Sequence, residues 1–162
     1  MAITQDAITK DPPTTAAADI TVLASGTSSI AANTGETDVL SYSAAAGTFS
    51  SSDFIYIDVL IYPSGAVSTG KIRLTVGATT CDQTIETNVN AANWCRTMIT
   101  SDVTNTMANT ETLKNQEGTL TAVHSHFINL AADWIAGALS VAIRCSTGAA
   151  TTMNVWWKVY KL

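Results

Sequence analysis

The stretch DFIYIDVLIYPSGAVSTGKIRLTV, residues 53–76, decides the fold class, because it fits either a nucleotide site or a pair of strands. The segment from Gly65 to Lys71 has the spacing at which a phosphate-binding loop begins, but that loop needs a Ser or Thr after the Lys and then a helix. Ile72 follows Lys71 instead, and apolar and polar residues alternate from there. This alternation is typical of a half-buried strand. The stretch therefore predicts two strands and no nucleotide site.

The segment between these two strands predicts a hairpin turn. It starts with Pro63, Ser64 and Gly65 and extends to Gly70. Pro, Ser and Gly are the residue types that turns require. A hairpin would make the two strands neighbours in one sheet.

The first of the strands is apolar on both faces. The residues expected to point inward are Ile55, Ile57, Val59 and Ile61, and those on the opposite face are Phe54, Tyr56, Asp58, Leu60 and Tyr62. A strand that is apolar on both faces is buried on both, so we expect the second face to contact another subunit. Asp58 should then have a polar partner, because an unpaired buried carboxylate is unfavourable.

The composition excludes two classes of partner. Charged residues make up 13% of the 162 residues, against about 25% in an average soluble protein, and the formal net charge is −5. No cluster of Lys or Arg is present for binding nucleic acid, and no run approaches the ~18 consecutive apolar residues of a membrane span. A surface with so few charges suits a protein that lies against other subunits.

The chain divides into an extended N-terminal arm, residues 1–19, and one domain, residues 20–162. The arm contains a Pro-Pro pair, which cannot continue a helix and favours extended geometry. Its bulky apolar side chains, Ile3 and Ile8, are the residues expected to anchor the arm on a partner.

The domain predicts an all-β fold, because most of its segments are rich in Val, Ile, Thr, Tyr and Trp and many are separated by turn residues. The predicted strands are ITVLASG (20–26), TDVLSYSA (37–44), DFIYIDVLIY (53–62), GKIRLTVGAT (70–79), CDQTIET (81–87), WCRTMIT (94–100), LTAVHSHFINL (120–130), ALSVAIRCS (138–146) and TMNVWWKVYKL (152–162). About eight strands in a chain of this length indicate a β-sandwich or barrel. Residues 101–118 predict a long loop or a ragged helix, and residues 129–137 predict one helical turn with Asn129 as its cap.

Cysteine and histidine give candidates for a disulfide and a metal site. Cys81, Cys95 and Cys145 form an odd count, which argues against a disulfide framework. Cys81 and Cys95 would pair in an extracellular protein; otherwise all three are small buried side chains. His124 and His126 share one face of a strand, but a metal there needs further ligands, for example from copies around a three-fold axis. No metal, cofactor or catalytic residue is assigned, and the chain is predicted not to be an enzyme.

Four acidic residues accompany the first two core strands: Glu36, Asp38, Asp53 and Asp58. They lack the spacing of a calcium-binding loop. The defined separation between two carboxylates that a glycosidase requires does not follow from their positions in the sequence. We expect these residues to be solvated strand ends.

The adjacent residues Trp156 and Trp157 point to opposite sides of a strand. Trp157 shares its side with apolar residues and is assigned to the core. Trp156 shares its side with Lys158 and Tyr160, a mixture typical of a subunit interface or a ligand surface. Ordinary packing and contact with a sugar are the alternatives for this side.

Three stretches of the domain follow one another in an order that a known family shares. They are ETDVLSYSAAAGTFSSSDFIYIDVLI (36–61), with a small-residue turn before a long strand, TGKIRLTVGATT (69–80), and ALSVAIRCSTGAATTMNVWWKVYKL (138–162). In this order they resemble small jelly-roll structural proteins of bacteriophage virions, the last stretch resembling a closing hairpin of two core strands. The arm has no counterpart in that family.

The resemblance implies a two-sheet antiparallel jelly-roll sandwich, assembled as a trimer on a capsid or in a head or tail fibre, with no catalytic residues. On that basis we expect a capsid decoration, or cement, protein of the virion, assembled in the host cytoplasm, whose partners are its own copies and viral capsid or fibre proteins. The residues expected at interfaces are Ile3, Ile8, Phe54, Tyr56, Leu60, Trp156 and Tyr160. Two alternatives remain: a head- or tail-fibre module that binds a receptor or glycan, and a filament subunit whose arm donates a strand.

Overall fold

The computed structural model describes residues 20–65, 68–85, 92–102, 104–116 and 119–162, with the backbone alone for 110–116 and 119–127. Within these ranges the protein is all-β, and no helix long and apolar enough to cross a membrane occurs among them. The strands are β1 (Thr21–Ile30), β2 (Thr37–Ala44), β3 (Ile55–Pro63), β4 (Ser68–Val76), β5 (Thr79–Ile85), β6 (Asn93–Ser101), β7 (Thr106–Gln116), β8 (Thr119–Leu130), β9 (Leu139–Thr147) and β10 (Met153–Lys161). The predicted arm, residues 1–19 with Ile3 and Ile8, lies outside the described residues.

The strands form two antiparallel sheets that pack as a sandwich. The six-stranded sheet has the order β1-β10-β3-β6-β7-β8, and the four-stranded sheet has the order β2-β9-β4-β5. The pairs β1 with β10, β2 with β9, β3 with β6 and β4 with β5 are nested, as in a long hairpin folded over into two layers. This is the jelly-roll arrangement, with β7 and β8 added as an extra hairpin at one edge. The predicted antiparallel jelly-roll sandwich is confirmed.

The two predicted hairpins of the core are wrong. β3 lies in the six-stranded sheet and β4 in the four-stranded sheet, so the segment that starts at Pro63 carries the chain from one layer to the other. The predicted closing hairpin is likewise a crossover, because β9 and β10 belong to different sheets. The cause is general: turn residues reverse the chain in the same way at a hairpin and at a corner between layers.

Two local predictions in the second half of the chain also need correction. The polar stretch 101–118 contains β7 in place of a loop or helix, because β7 is hydrogen-bonded on both sides, to β6 and to β8. A single turn does occur near residue 135, where the Gly137 amide donates to the Asp133 carbonyl over 2.8 Å. Its cap is Asp133, whose Oδ1 accepts a hydrogen bond from the Ile135 amide, whereas Asn129 lies within β8.

The core lies between the two sheets. The inward residues of β3, Ile55, Ile57, Val59 and Ile61, are fully buried as predicted, and those facing them from the four-stranded sheet include Ile72, Leu74, Val141 and Ile143. Trp157 is also in the core, with Gly26 of β1 opposite it. A Cβ on Gly26 would lie 3.0 Å from Trp157 Nε1, so the glycine leaves room for the indole.

The three cysteines are free thiols. Cys95 and Cys145 are buried, as predicted, whereas Cys81 is half-buried. Cys81 lies in β5 of the four-stranded sheet and Cys95 in β6 of the six-stranded sheet. Burial raises the pKa of the Cys145 thiol to about 12, which makes it a packing side chain and a poor nucleophile.

Candidate functional site

The outer face of β1, β10, β3 and β6, called here the aromatic face, carries its side chains in rows, because the antiparallel register sets residues opposite one another. One row contains Thr27, Trp156, Leu60 and Trp94; the next contains Ser25, Lys158, Asp58 and Arg96; a third contains Val22, Tyr160, Tyr56 and Met98. Trp157 is 6% exposed and Trp156 41% exposed, so the predicted assignment of the two tryptophans to opposite sides is confirmed.

One end of the aromatic face is an exposed apolar patch. This end patch consists of the exposed Ile20, Val22, Phe54 and Leu162 and the half-buried Tyr56 and Tyr160. The Leu162 amide donates to the Phe54 carbonyl over 3.0 Å, which ties the end of β10 to the start of β3. The rings of Tyr56 and Tyr160 stack with centroids 5.4 Å apart and planes 11° apart, a close offset geometry for aromatic pairs.

Exposed apolar side chains concentrate on this face. Seven large apolar side chains are exposed among the described residues, and six of them lie on the aromatic face: Ile20, Val22, Phe54, Tyr62, Trp156 and Leu162. The seventh, Ile135, lies in the turn before β9. Scattered exposed apolar residues are ordinary, but a contiguous set such as the end patch is typical of a contact surface.

A row of charged side chains crosses the middle of the face. Arg96 binds Asp58 through two hydrogen bonds, Nε to Oδ1 at 2.7 Å and Nη2 to Oδ2 at 2.9 Å, and the Tyr160 hydroxyl donates to Asp58 Oδ2 over 3.3 Å. The predicted polar partner of Asp58 is thus confirmed. The hydrogen bond to Asp58 raises the pKa of the Arg96 guanidinium, while burial, followed by the charge of Asp58, raises the pKa of Tyr160.

Beyond the charged row lies a shallow depression of about 200 Å³, called here the tryptophan depression. Leu60 lies between Trp94 and Trp156 in the register, and Asp58 and Lys158 line one side. Arg96 Cζ is 4.9 Å from the Trp94 ring centroid, which is within cation–π range. Since Asp58 holds Arg96, the Trp94 ring is positioned by a chain of contacts that starts at Tyr160.

The structure divides the sequence-predicted interface residues between these two places. Phe54, Tyr56 and Tyr160 lie in the end patch, whereas Leu60 and Trp156 lie in the tryptophan depression. Trp156 and Tyr160, which the sequence suggested as one aromatic set, are separated by the charged row. Sequence reasoning missed Trp94, Arg96 and Lys158 as one site. The two-residue spacing of Trp94 and Arg96 was a signal for a shared face, but their neighbours come from distant strands.

The outer face of β2, β9, β4 and β5, called here the charged face, has a different character. Lys71 Nζ lies 2.7 Å from Glu36 Oε2, and Arg144 pairs with both Glu36 and Asp38. Arg73 binds Asp82 through two hydrogen bonds of 2.6 and 2.7 Å. Lys71, the residue that suggested a phosphate loop, is therefore a strand residue in an ion pair.

Three of the four acidic residues, Glu36, Asp38 and Asp53, lie at or near the start of a strand as expected, whereas Asp58 lies in the middle of β3. Each of the four pairs with a cation. Glu36 and Asp38 do so on the charged face, while Asp58 and Asp53 pair with Arg96 and with Lys161. The hydrogen bond from Lys71 lowers the pKa of Glu36. Burial alone would raise the pKa of Asp53, but hydrogen bonds from Ser50 and Lys161 lower it.

No group of His, Cys, Asp or Glu side chains that could hold a metal ion occurs among those the structure describes. Of the two predicted histidines, His124 and His126, only the backbone in β8 is described, so the metal hypothesis falls outside the described side chains.

No protein family model matches the sequence, and no curated protein is similar to it. A chain in the solved structure of infectious bursal disease virus Gx strain is similar, at 9% sequence identity and with a TM-score of 0.33. The match covers 89% of this chain and 39% of that chain. A likeness at this level carries no argument about function, which rests on the geometry of the two outer faces.

Proposed function

We propose that the chain is a non-enzymatic structural subunit of a virion, a decoration or cement protein that binds the shell as a trimer. The observation that carries the proposal is the end patch, which holds four of the seven exposed large apolar side chains. Association with neighbouring copies would cover it. The virion location and the trimer follow from the resemblance to jelly-roll proteins of bacteriophage virions.

Contact with water is energetically unfavourable for the apolar side chains of the end patch. Removing apolar surface from water is worth roughly 25 cal/mol per Å², and Ile20 and Val22 are 64% and 51% exposed in the single chain. A neighbouring copy that covers them gains this free energy without breaking an ion pair, because the end patch contains no charged side chain. The charged face offers no comparable gain, since its cations already have carboxylate partners.

A contact between unlike surfaces can close into a ring, and a ring of three copies is the arrangement proposed here. In that arrangement the end patch of one copy meets a different surface of the next copy. The charged faces stay in water, where their paired groups remain hydrated. Shell proteins would then bind surfaces that the trimer leaves open.

The trimer is tested by sedimentation of the wild type beside two variants with equal added charge. Val22→Asp with Phe54→Asp places two carboxylates in the end patch, and Ser41→Asp with Thr84→Asp places two on the charged face. We expect the wild type and the charged-face variant to be trimers and the end-patch variant to be a folded monomer. A monomeric wild type that does not co-sediment with undecorated shells would overturn the proposal, as would equal behaviour of the two variants.

The role of the arm stays a prediction, since residues 1–19 lie outside the described residues. If Ile3 and Ile8 anchor the chain on a shell, deletion of the arm should leave thermal unfolding nearly unchanged and greatly weaken co-sedimentation with shells. The double variant Ile3→Ser, Ile8→Ser should reproduce the loss. The filament alternative rests on the same segment, and polymerisation that survives its deletion would remove that alternative.

A further inference from the structure

The tryptophan depression has features that the end patch lacks. Its lining includes Leu60, Trp94 and Trp156 of the outer face and the inward-facing Val59 and Trp157, with Asp58 and Lys158 along one side. Its volume of about 200 Å³ is below the ~300–1,000 Å³ of clefts that enclose drug-sized ligands. The depression therefore has room for one ring of a ligand whose remainder lies outside.

The charge of Lys158 is the second feature of the depression that indicates a ligand site. The structure describes the side chains of six cationic residues, and five of them form ion pairs: Lys71, Arg73, Arg96, Arg144 and Lys161. Lys158 has no ion-pair partner among the described side chains, although Asp58 is directly opposite it in the register. Asp58 is held by Arg96 and Tyr160 instead. In a chain of formal net charge −5, an ammonium group without an ion-pair partner among the described side chains thus lies beside the depression.

We propose that the tryptophan depression binds a pyranose ring that carries a carboxylate, as in an acidic glycan. One side of a pyranose is made of C–H groups, and this side stacks on an indole face such as that of Trp156. The carboxylate pairs with Lys158. The exposed Ser25 and Thr27 lie opposite Lys158 and Trp156 on β1, where they are placed to hydrogen-bond the ring hydroxyls.

The site is partly preorganised, which lowers the entropy lost on binding. Trp94 is held by Arg96, and Arg96 by two hydrogen bonds to Asp58. Only Trp156 and Lys158 need to be ordered by the ligand, and both are exposed in the free chain. The charged row separates this site from the end patch, so the patch of a given copy can contact a neighbouring copy without covering its own depression.

The test is calorimetric titration of the full chain with sialyllactose and with a short oligogalacturonate, which carry the carboxylate on different sugars, and with lactose as the neutral probe. We expect at least one acidic probe to bind more tightly than lactose, and the affinity to fall with added salt. Trp156→Ala should lower the affinity about tenfold or more. Lys158→Gln should remove the preference for the acidic probe, and Lys71→Gln, which removes the same charge from the charged face, should change nothing.

The results that overturn the proposal differ from those that overturn the trimer. Absence of binding by both acidic probes at millimolar concentrations would reject the sugar site, whatever the oligomeric state. Equal affinities of wild type, Trp156→Ala and Lys158→Gln would reject it as well. If Trp156→Ala dissociates the oligomer and no probe binds, the depression is a contact between copies and not a ligand site. Thermal unfolding of each variant shows that the fold is retained.

Discussion

The charged face and the aromatic face contain the same ion-pair geometry in different surroundings. Arg73 holds Asp82, and Arg96 holds Asp58, each through two short hydrogen bonds between neighbouring strands. On the charged face the neighbours are further ion pairs and hydroxyls. On the aromatic face the neighbours are indole and phenol rings. An ion pair therefore does not by itself identify a solvent face; the rows on either side of it decide what the surface can bind.

The largest expected effect is a difference in the free energy of unfolding between a variant of the core and a variant of the aromatic face. Trp157→Ala should lower the free energy of unfolding by about 3–5 kcal/mol, because a buried indole is replaced by a cavity. Trp156→Ala should cost about 1 kcal/mol or less, since this side chain is exposed. Urea denaturation of the two variants measures the difference. Equal losses of stability would mean that the aromatic face serves stability and not binding.

The next largest effect is the difference in stability lost when each of the two arginines is replaced by alanine. Arg73→Ala should cost less than about 1 kcal/mol, as is usual for exposed ion pairs. Arg96→Ala should cost about 1–2 kcal/mol, because it also removes the cation–π contact with Trp94 and leaves Asp58 without its main partner. Chemical denaturation at low salt gives both values, with Arg73→Lys and Arg96→Lys as variants that keep the charge and lose the paired hydrogen bonds. A larger loss for Arg73→Ala would reverse the ranking.

The smallest expected effect is a pH dependence of the charged face. The hydrogen bond from Arg73 lowers the pKa of Asp82 below its ordinary value of 3.8. A group whose pKa is lowered in the folded state stabilises the fold above the unfolded-state pKa, and this contribution is lost as the pH falls through the folded-state pKa. Stability should therefore decrease below pH 3.8, and the decrease should be smaller in Asp82→Asn, by less than about 1 kcal/mol. Thermal unfolding between neutral and acidic pH measures both curves, and identical curves would show that the pair contributes nothing.

The sequence was sufficient to predict strands and their faces, because side chains alternate with a period of two in any strand. β2 occupies the same residues, 37–44, as its predicted strand, and β3 buries the residues assigned to the core. It was insufficient to assign strands to sheets, because the same turn residues join strands within a layer and across layers. β7 escaped prediction because its sequence is mostly polar, and the hydrogen bonds to its two neighbouring strands are not visible in any local pattern.

The candidate site was predictable only residue by residue. The exposed position of Trp156 follows from its adjacency to Trp157. Its proximity to Trp94 follows from the pairing of β3 with both β10 and β6, which joins segments far apart in the chain. Among the described side chains Lys158 has no ion-pair partner, because Arg96 binds Asp58 instead. No local sequence pattern predicts which of the two cations binds this carboxylate.

The position of β10 between β1 and β3 has a consequence for how the protein is made. Tyr160 and Asp58, which share a hydrogen bond across the aromatic face, are 102 residues apart in sequence, and pairings of such separation form slowly. During synthesis β3 leaves the ribosome long before the strand that completes its sheet. Trp156, Lys158 and Tyr160 all arrive with that late strand, so the aromatic face is incomplete until β10 has been synthesised. The association proposed for this face therefore requires that β10 has first paired with β3.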